Sequence, residues 1–314
     1  MLPSLSTTRE AQELLKRYLP VTRLVPASSL SQHCNAYLKL ESELPTGSFK
    51  PRGAIFGLSR EMSRRKVTEV VASSTGNHGA AVAYAAKLLG VAATIFLPEN
   101  PNPVKRARIA AFGAKIIEVG RDLSAAGEEV VAYAQTRGAY FLNDAGDSDL
   151  PAGPATIAIE ILTQLPETDV IYVPMGDTAL IRGVAAAAKQ IRREVKVIGV
   201  QAERAPSYFL SWKQGTAVPT ETCDTIADGL ATRMPDPGNV QSIREVVDEV
   251  RLVSDEQMLA AIRHLLLEEH LVAEPAGAAT TAAFLAGDAK GQNVVLIVSG
   301  CNVDPQILRR ALCA

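Results

Sequence analysis

The sequence predicts an α/β fold built on parallel strands, and two observations support that prediction. Short apolar runs recur along the chain, and each is followed by a longer, often Ala-rich stretch of helical length. The runs are continuously apolar rather than alternating, which is typical of parallel strands that helices cover on both faces. A regular succession of such runs and helices therefore favours the α/β class over an all-helical or all-strand fold.

The individual elements follow from the same pattern. Strands are predicted over residues 67–73, 92–97, 114–119, 170–175, 196–201 and 293–299. Helices are predicted over residues 79–89 and 103–112, and Gly90 is placed to end the first of them. Ligands bind at the carboxyl ends of parallel strands. The segments with unusual residues at such ends are 73–79, 175–183 and 299–304, together with the turn-rich segment 45–54.

The composition is that of a globular enzyme. Of the 314 residues, 47 % are hydrophobic and 21 % are charged, so the chain can bury a sizeable core. A net charge of −2 provides no broad attraction to nucleic acid or to anionic membranes. No run approaches the roughly 20 apolar residues of a membrane span, and the N-terminus lacks the pattern of a signal peptide. We therefore expect a cytoplasmic protein that binds neither nucleic acid nor membrane.

The four cysteines give no sign of a metal site or a disulfide framework. They are scattered along the chain without a paired CxxC spacing and without a histidine cluster nearby. This pattern indicates a reducing environment and agrees with the cytoplasmic expectation.

One segment contains a lysine that is a candidate for covalent catalysis. Residues 46–54 (TGSFKPRGA) put Lys50 between an aromatic residue and a proline, with glycines on both sides. A lysine that forms a Schiff base must be partly desolvated, so that it becomes neutral and nucleophilic. Glycine on either side lets a planar cofactor approach the backbone. A surface lysine in a basic turn beside Arg52 is the competing interpretation.

The segment 73–79 (SSTGNHG) follows a predicted strand and opens a predicted helix. Backbone N–H groups at a helix N-terminus, together with Ser and Thr hydroxyls, form a site for an anion such as a substrate carboxylate. Simple N-capping by Ser74, Thr75 or Asn77 needs no ligand, but it explains one of these residues and not the whole set. His78 alone is more often structural than catalytic, and we leave it out of the catalytic set.

Together these segments resemble the fold-type II pyridoxal-phosphate enzymes, in the branch of the serine/threonine dehydratases and serine racemases. The resemblance extends from about residue 19 to about residue 308 and rests on five motifs in the family's order. These are LKLE with TGSFKPRGA (38–41 and 46–54), STGNHG (74–79), TIADG (225–229), EPAGA (274–278) and SGCNVD (299–304).

The resemblance implies a tryptophan synthase β-like architecture of two parallel-sheet α/β domains, with the cofactor in the cleft between them. The large cofactor-binding domain would comprise residues 1–45 and 146–314, and the small domain residues 46–145. Relatives commonly form homodimers, so a homodimer is expected here. The end of the chain soon after residue 304 implies no feedback control by a C-terminal regulatory domain.

The resemblance also implies residue roles. Lys50 would form the Schiff base with pyridoxal phosphate, Phe49 would pack against the ring, and Asn77 would bond to its 3-oxygen. Gly229 would let the backbone approach the cofactor. Ser299 would meet the pyridine nitrogen with a neutral hydroxyl, which makes a weaker electron sink and favours rapid loss of a β-leaving group. The substrate carboxylate would be bound by the loop residues Ser74, Thr75, Gly76, Asn77 and His78.

The phosphate loop departs from the family pattern. Relatives carry four glycines after a Val-Pro strand, whereas residues 175–183 here are MGDTALIRG, with only Gly176 of the four. Asp177 would bring a carboxylate close to the phosphate, unless it turns outward or pairs with Arg182. We expect Gly176, Thr178 and Arg182 to hold the phosphate in a rearranged way. The alternative is a conventional phosphate loop, in which these substitutions do not change how the phosphate is held.

A second departure concerns metal. Racemase-like members of the family use a Glu and a nearby Asp for a divalent cation, and those places correspond here to Gln201 and Ser207. Hard cations need anionic oxygen ligands, and Glu203 alone does not make a site. We therefore predict no metal.

The reaction implied is elimination of water from a β-hydroxy-α-amino acid to give a 2-oxo acid and ammonia. Lys50 would be the general base at Cα. Serine, threonine and bulkier substrates such as 3-phenylserine share the reacting fragment. Serine racemisation is one alternative, although relatives with that activity place Ser where Thr75 stands. A second is β-replacement as in cysteine synthases, whose asparagine loop differs from the one here. A third is a non-catalytic protein that carries the cofactor and has a regulatory role.

Overall fold

The computed structural model describes residues 1–31, 34–74, 76–99, 101, 103–120, 123–287 and 292–313. Its strands are β1 (Leu24–Pro26), β2 (Asn35–Leu40), β3 (Glu69–Ser73), β4 (Ala92–Leu97), β5 (Lys115–Glu118), β6 (Tyr140–Phe141), β7 (Val170–Pro174), β8 (Lys196–Ala202), β9 (Glu249–Val253) and β10 (Asn293–Val298). Its α-helices are α1 (Leu5–Leu15), α2 (Lys50–Arg64), α3 (Asn77–Leu89), α4 (Pro103–Ala111), α5 (Leu123–Arg137), α6 (Ala152–Gln164), α7 (Ala179–Ile191), α8 (Ser207–Gln214), α9 (Pro237–Val246), α10 (Asp255–Leu267), α11 (Pro275–Leu285) and α12 (Pro305–Cys313).

The predicted α/β class is confirmed. Each of the six predicted strands is present, with ends that differ from the prediction by at most two residues, and β4 coincides with it. The helix predicted over residues 79–89 begins two residues earlier, at Asn77. It ends where predicted, because Gly90 adopts φ 71°, a left-handed conformation that glycine tolerates without strain.

The strands form two sheets. One has the order β1-β2-β10-β7-β8-β9 and is parallel except for the antiparallel pair β1 and β2. The other has the order β5-β4-β3-β6 and is parallel throughout. Strands of the second sheet come from residues 69–141, while the first sheet uses strands from outside that range. The domain boundaries proposed from the sequence stay a prediction.

Helices cover both faces of each sheet. Along β7, Val170 and Tyr172 pack with α10 and α11, whereas Ile171 and Val173 pack with α6, α7 and α9. On the second sheet α2 and α3 cover one face, and α5 packs against the other through Val71. This two-sided burial explains why the central strands are apolar without alternation.

A buried ionic cluster fixes the start of α2, the helix whose first residue is Lys50. The guanidinium of Arg52 is 2 % exposed, and it donates to Glu41 at 2.8 and 2.9 Å and to Glu160 at 2.6 and 2.9 Å. Lys39 donates to Glu160 at 2.6 Å from the buried strand β2. These charges compensate one another, so the lysine segment begins a helix that α6 and β2 hold in place.

Candidate active site

A cavity of about 530 Å³ lies where the carboxyl ends of strands from both sheets meet. The loops after β3, β7 and β10 contribute to its wall, as expected for ligand sites of parallel sheets. The lysine segment and the loop from Ile226 to Thr232 complete it. The segments that the sequence singled out therefore come together at one cavity.

The lysine segment is joined to the closing loop after β10 by backbone hydrogen bonds. The Phe49 N–H donates to the Ser299 carbonyl at 3.0 Å, and the Cys301 N–H donates to the Gly47 carbonyl at 2.9 Å. Gly47 adopts φ 69°, and a Cβ there would lie 2.6 Å from Oδ1 of Asn302. Glycine is therefore required at position 47, both for its conformation and for this close approach.

Lys50 points into the cavity with its side chain only 15 % exposed. Its Nζ donates to Oδ2 of Asp144 at 2.6 Å. Burial would lower the pKa of Lys50, but the carboxylates of Asp144 and Asp177 outweigh burial and raise it. The sequence argument expected desolvation to favour the neutral amine. The neighbouring carboxylates, which that argument did not include, favour the ammonium instead.

Asn77 is held between two side chains. Its Nδ2 donates to Oε1 of Glu274 at 2.6 Å, and its Oδ1 accepts from Nδ2 of Asn302 at 2.6 Å. Both partners lie on loops that line the cavity. The amide of Asn77 is thus fixed at the first turn of α3.

Ser74 and Gly76 line the cavity on the N-terminal side of α3. The hydroxyl of Ser74 accepts from the Gly76 N–H at 3.3 Å, and both residues contribute to the wall. Ser299, on the opposite side, is buried with its hydroxyl 3.5 Å from the Ala276 carbonyl. Thr75, named as a carboxylate ligand, lies outside the described residues.

The loop after β7 approaches the loop of Gly229 closely. A Cβ at Gly176 would lie 2.1 Å from the Gly229 carbonyl oxygen, so glycine alone fits there. Thr178 adopts φ 71°, a strained conformation for a β-branched residue, and strain of this kind clusters at functional sites. Helix α7 follows without a side-chain N-cap, and its first residues, Ala179 and Leu180, line the cavity. A helix N-terminus of this kind favours an anion.

Arg182 supports this loop from behind. Its side chain is buried, its Nε donates to the Thr178 hydroxyl at 3.1 Å, and one Nη donates to the Ala145 carbonyl at 3.2 Å. The cavity wall includes Gly176 and Thr178 but not this guanidinium. The structure thus places Arg182 one layer away from the position expected for a direct phosphate ligand.

Two carboxyl groups, those of Asp144 and Asp177, line the cavity together with Lys50. Asp177 does not turn outward; it faces Asp144 and accepts from the Thr232 hydroxyl at 3.2 Å. Burial, and then the negative charge of Asp144, raise the pKa of Asp177 to about 6. Burial acts in the same direction on Asp144, but nearby positive charge outweighs it and lowers the pKa of Asp144.

His78, in the first turn of α3, lies beside Asp144. Its Nε2 bonds to the Leu142 carbonyl at 2.8 Å, so Nδ1 is the free ring nitrogen, and it lies 3.8 Å from Oδ2 of Asp144. Burial lowers the pKa of His78, so at neutral pH Lys50 is the main cation beside Asp144. His78 therefore faces the carboxyl pair.

Sequence reasoning missed Asp144, the role of Glu274, and Thr232. Asp144 lies in NDAGDSD, a segment whose residue types predict nothing beyond a turn. Its only local signal is that it follows a short strand, β6, whose carboxyl end points towards the cavity.

Gln201 and Ser207 lie apart from the cavity wall. The Gln201 Oε1 accepts from the Phe209 N–H at 2.8 Å, and the Ser207 hydroxyl donates to the Thr232 carbonyl at 2.5 Å. In the parts of the chain that the structure describes, no three His, Cys, Asp or Glu side chains are grouped as metal ligands. The prediction of no metal requires an experiment.

The cavity suits pyridoxal phosphate. A lysine points into it, Gly176 and Gly229 line it without side chains, and the N-terminus of α7 carries no side-chain cap that would compete with a phosphate. The buried Ser73 hydroxyl and Nδ1 of His78 lack partners among the described residues, and Ser73 and His78 both line the cavity. Such orphaned buried groups indicate a polar ligand.

Comparison with known proteins agrees with the site. The family of pyridoxal-phosphate dependent enzymes matches residues 15–300. The chain therefore belongs to the pyridoxal-phosphate dependent enzymes, of fold-type II, and pyridoxal phosphate is its cofactor. Among the described residues, every helix is too short or too polar to cross a membrane.

Individual relatives indicate the branch of the pyridoxal-phosphate dependent enzymes to which the chain belongs. The chain is 37 % identical over 312 residues to an L-threonine ammonia-lyase of Thermotoga maritima, covering 98 % of this chain and 78 % of that protein. It is 35 % identical to a catabolic L-threonine dehydratase of Staphylococcus aureus, covering 96 % and 89 %. Maize serine racemase superposes with a TM-score of 0.93 at 28 % identity, covering 100 % of this chain and 98 % of that one. This chain is an ammonia-lyase of the serine/threonine dehydratase and serine racemase branch.

Proposed function

We propose that this enzyme eliminates water from a β-hydroxy-α-amino acid, with serine or threonine as substrate, and releases a 2-oxo acid and ammonia. The observation that supports the proposal is that Lys50 lies in the same cavity wall as Ser74 and Ser299. The chain is also similar over nearly its whole length to threonine ammonia-lyases. A small-molecule amino acid is the partner. A homodimer, a cytoplasmic location and the absence of nucleic-acid binding belong to the same proposal.

One group of residues binds the α-carboxylate of the substrate, and Lys50 acts at its Cα. The N-terminus of α3, with Ser74, Gly76 and Asn77, supplies donors for the α-carboxylate. His78 belongs to the same segment, 73–79, but its ring faces Asp144 and the Leu142 carbonyl rather than the substrate carboxylate. We infer that the first three residues orient the substrate, so that its Cα–H bond points towards Lys50.

The cofactor would be held by Lys50 covalently, by Phe49 and Asn77 around the ring, by Ser299 at the ring nitrogen, and by Gly176 and Thr178 at the phosphate. Gly229, which lines the cavity, would let the backbone approach the cofactor, and Arg182 supports Thr178. Bound pyridoxal phosphate supplies an electron sink conjugated to Cα. The Lys50 amine would be the base that takes the α-proton, because it would lie beside that carbon of the bound substrate.

Bulkier substrates are compatible with the same site. The cavity of about 530 Å³ must hold the cofactor and the substrate together, and 3-phenylserine adds a phenyl ring to the reacting fragment. The altered phosphate loop, MGDTALIRG, is the feature that sets this chain apart from the tetraglycine pattern and makes phenylserine worth testing.

Racemisation is the second candidate, favoured by the likeness to maize serine racemase. It requires an acid or base on the face of Cα opposite Lys50, and Thr75 stands in the sequence where racemase-type members of the family place a Ser. A non-catalytic carrier of the cofactor is set aside, because the relatives over nearly the whole chain are ammonia-lyases.

A substrate panel tests the proposal. L-serine, L-threonine and 3-phenylserine are incubated with the enzyme, and 2-oxo acid and ammonia are measured with Lys50→Ala as the blank. Chiral chromatography of the remaining serine measures racemisation in the same samples. We expect equal amounts of 2-oxo acid and ammonia from at least one substrate. D-serine without 2-oxo acid would support the racemase instead.

A further inference from the structure

The carboxyl group of Asp144 is held in a fixed position beside Lys50. The Asn143 side chain accepts from the N–H groups of Ala145 and Gly146, at 3.0 and 3.2 Å, which fixes the turn around Asp144. The side chain of Asp144 is 20 % exposed, and its Oδ2 accepts from Nζ of Lys50 at 2.6 Å. In the structure Lys50 is therefore the cation that compensates this carboxylate.

Lys50 cannot provide this compensation while it acts as the base. A lysine that takes a proton must be the neutral amine, since an ammonium has no lone pair to accept one. The carboxylate of Asp144 is then left without its cation, which costs free energy at a largely buried position. Among the described residues that line the cavity, Lys50 and Arg108 are the lysine and arginine side chains, and the carboxyl groups are those of Asp144, Asp177, Asp228, Glu274 and Asp304. This excess of carboxyl groups favours a ligand that brings a positive charge.

Nδ1 of His78 is a second, independent sign of such a ligand. Nε2 of this ring carries the hydrogen, because its partner at 2.8 Å is the Leu142 carbonyl, which can only accept. Nδ1 of the neutral ring is therefore an acceptor, and it has no hydrogen-bond partner among the described residues. His78 is 5 % exposed and lines the cavity, with Nδ1 3.8 Å from Oδ2 of Asp144. A donor placed between these two acceptors would satisfy both, and an ammonium, with three N–H groups, can do so where a hydroxyl has only one hydrogen.

The position of Lys50 relates Asp144 to the reacting carbon. A base that takes the α-proton lies about 3–3.5 Å from Cα. An oxygen 2.6 Å from Nζ is therefore within about 6 Å of Cα. A nitrogen bonded to Cβ lies about 2.5 Å from Cα, as two successive single bonds require. An ammonium on Cβ can thus reach hydrogen-bond distance of Asp144.

We propose that the enzyme also eliminates ammonia from α,β-diamino acids, with 2,3-diaminopropionate as the substrate and Asp144 and His78 as the residues that bind its β-ammonium. This activity goes beyond the proposed function and shares with it Lys50 as the base. Lys50 takes the α-proton, and the electron pair of the Cα–H bond becomes the second bond between Cα and Cβ. The Cβ–N bond breaks with its electron pair on nitrogen, so the β-ammonium leaves as ammonia. The released 2-aminoacrylate takes up one water and gives a 2-oxo acid and a second ammonia.

The charges around Asp144 stay balanced through this step. Before it, the positive charge is on the β-nitrogen and Lys50 is neutral. After it, Lys50 carries the α-proton and can form again the 2.6 Å ion pair that the structure shows, while ammonia leaves uncharged. The leaving nitrogen is already protonated, so its departure requires no separate acid.

The stoichiometry of the products tests the reaction. Each enantiomer of 2,3-diaminopropionate is incubated with the holoenzyme, with L-serine in parallel, and 2-oxo acid and ammonia are measured. We expect two ammonia per 2-oxo acid from diaminopropionate and one from serine, because the β-nitrogen leaves as well as the α-nitrogen. Lys50→Ala is the blank.

Asp144→Asn keeps the size of the side chain and removes its charge. The ratio of kcat/KM on diaminopropionate to kcat/KM on serine should fall by about tenfold or more, the contribution of a charged hydrogen bond. Asp144→Glu keeps the charge and should retain more of this ratio. Asp224→Asn changes an exposed carboxylate paired with Arg204, so as the matched control it should leave the ratio unaltered.

A pair of ligands that cannot lose a β-group measures binding without turnover. 2,4-Diaminobutyrate carries its second amine on Cγ, and 2-aminopentanoate has a methyl group in place of that ammonium. Titration of the holoenzyme, followed by the visible absorbance of its cofactor, gives the Kd of each. The parent enzyme should bind the diamino acid about tenfold more tightly, and Asp144→Asn should lose this preference.

Three results would overturn the proposal. They are no 2-oxo acid from either enantiomer of diaminopropionate, one ammonia per 2-oxo acid instead of two, and equal losses on both substrates in Asp144→Asn, which would make Asp144 a positioning residue for Lys50. Failure of the proposed function is distinguishable, because it is the absence of 2-oxo acid from every β-hydroxy amino acid while diaminopropionate is turned over. The comparison of the two Kd values then replaces the ratio as the test of Asp144.

Discussion

Replacing Arg52 by Met tests whether the buried ionic cluster holds the helix of Lys50. The change removes four charge-assisted hydrogen bonds to Glu41 and Glu160 and leaves these two buried carboxylates with Lys39 as their remaining cation. Breaking a buried pair by removing one partner costs roughly 3–5 kcal/mol, since the other charge stays buried. We expect the free energy of unfolding to fall by that amount and Tm by on the order of 10 °C.

The pH dependence of this loss gives an independent check. Burial raises the pKa of Glu160, but Arg52 and then Lys39 outweigh burial and lower it below its usual value. Stability from Glu160 is therefore present above its unfolded pKa and lost as pH falls through the folded pKa. Without Arg52 the carboxyl titrates at higher pH, so the difference between variant and parent should be largest near neutral pH and shrink in acid.

The assay is denaturant unfolding of the apoenzyme at several pH values, followed by circular dichroism. Arg64→Met is the matched control, because Arg64 lies on the same helix, is half exposed, and pairs with Asp149 at the surface. Its loss should cost less than about 1 kcal/mol. If Arg52→Met were as stable as Arg64→Met, the cluster would not anchor α2.

Other changes test the site directly. Lys50→Ala should abolish both the visible absorbance of bound cofactor and turnover, measured by spectrophotometry and by ammonia release. Ser299→Asp should slow elimination by favouring a protonated cofactor ring, so an unchanged kcat would separate Ser299 from the ring nitrogen. Arg182→Ala should weaken cofactor binding about tenfold, the roughly 1.5–3 kcal/mol of a charged hydrogen bond, because Thr178 loses its support; titration of apoenzyme measures this. Treatment with a chelator should leave kcat and Tm unaltered, since Gln201 stands where relatives carry an anionic metal ligand, and a loss that Mg²⁺ reverses would contradict this.

The fold was predictable where burial is two-sided, and less so at the edges of the sheets. Central strands such as β7 and β10 are continuously apolar because helices cover both faces. The edge strand β9 is only partly buried, with Val250 and Val253 buried and Glu249 exposed, and its sequence, EVRLV, has no continuous apolar run. In β2 the buried Lys39 interrupts the pattern, because its charge is compensated by Glu160, which is 121 residues away in sequence.

The site was predictable where a motif carries the chemistry locally. Lys50 and the 73–79 loop stand in short, recognisable segments that the fold brings to one cavity. Asp144 could not be found this way, because its importance depends on a contact with Lys50 across 94 residues of sequence. Its own segment has only the residue types of a turn.

Asp177 shows why a substitution in a motif does not by itself predict its effect. From the sequence, an Asp in place of glycine at the phosphate loop signifies a negative charge that repels the cofactor. In the structure the same carboxyl is only partly exposed, and burial and then the negative charge of Asp144 raise its pKa to about 6. A raised pKa increases the fraction of the neutral form, and in that form a carboxyl donates a hydrogen bond rather than repelling an anion. Its effect on cofactor binding therefore depends on burial and on Asp144, two contributions that lie outside the motif and cannot be inferred from it.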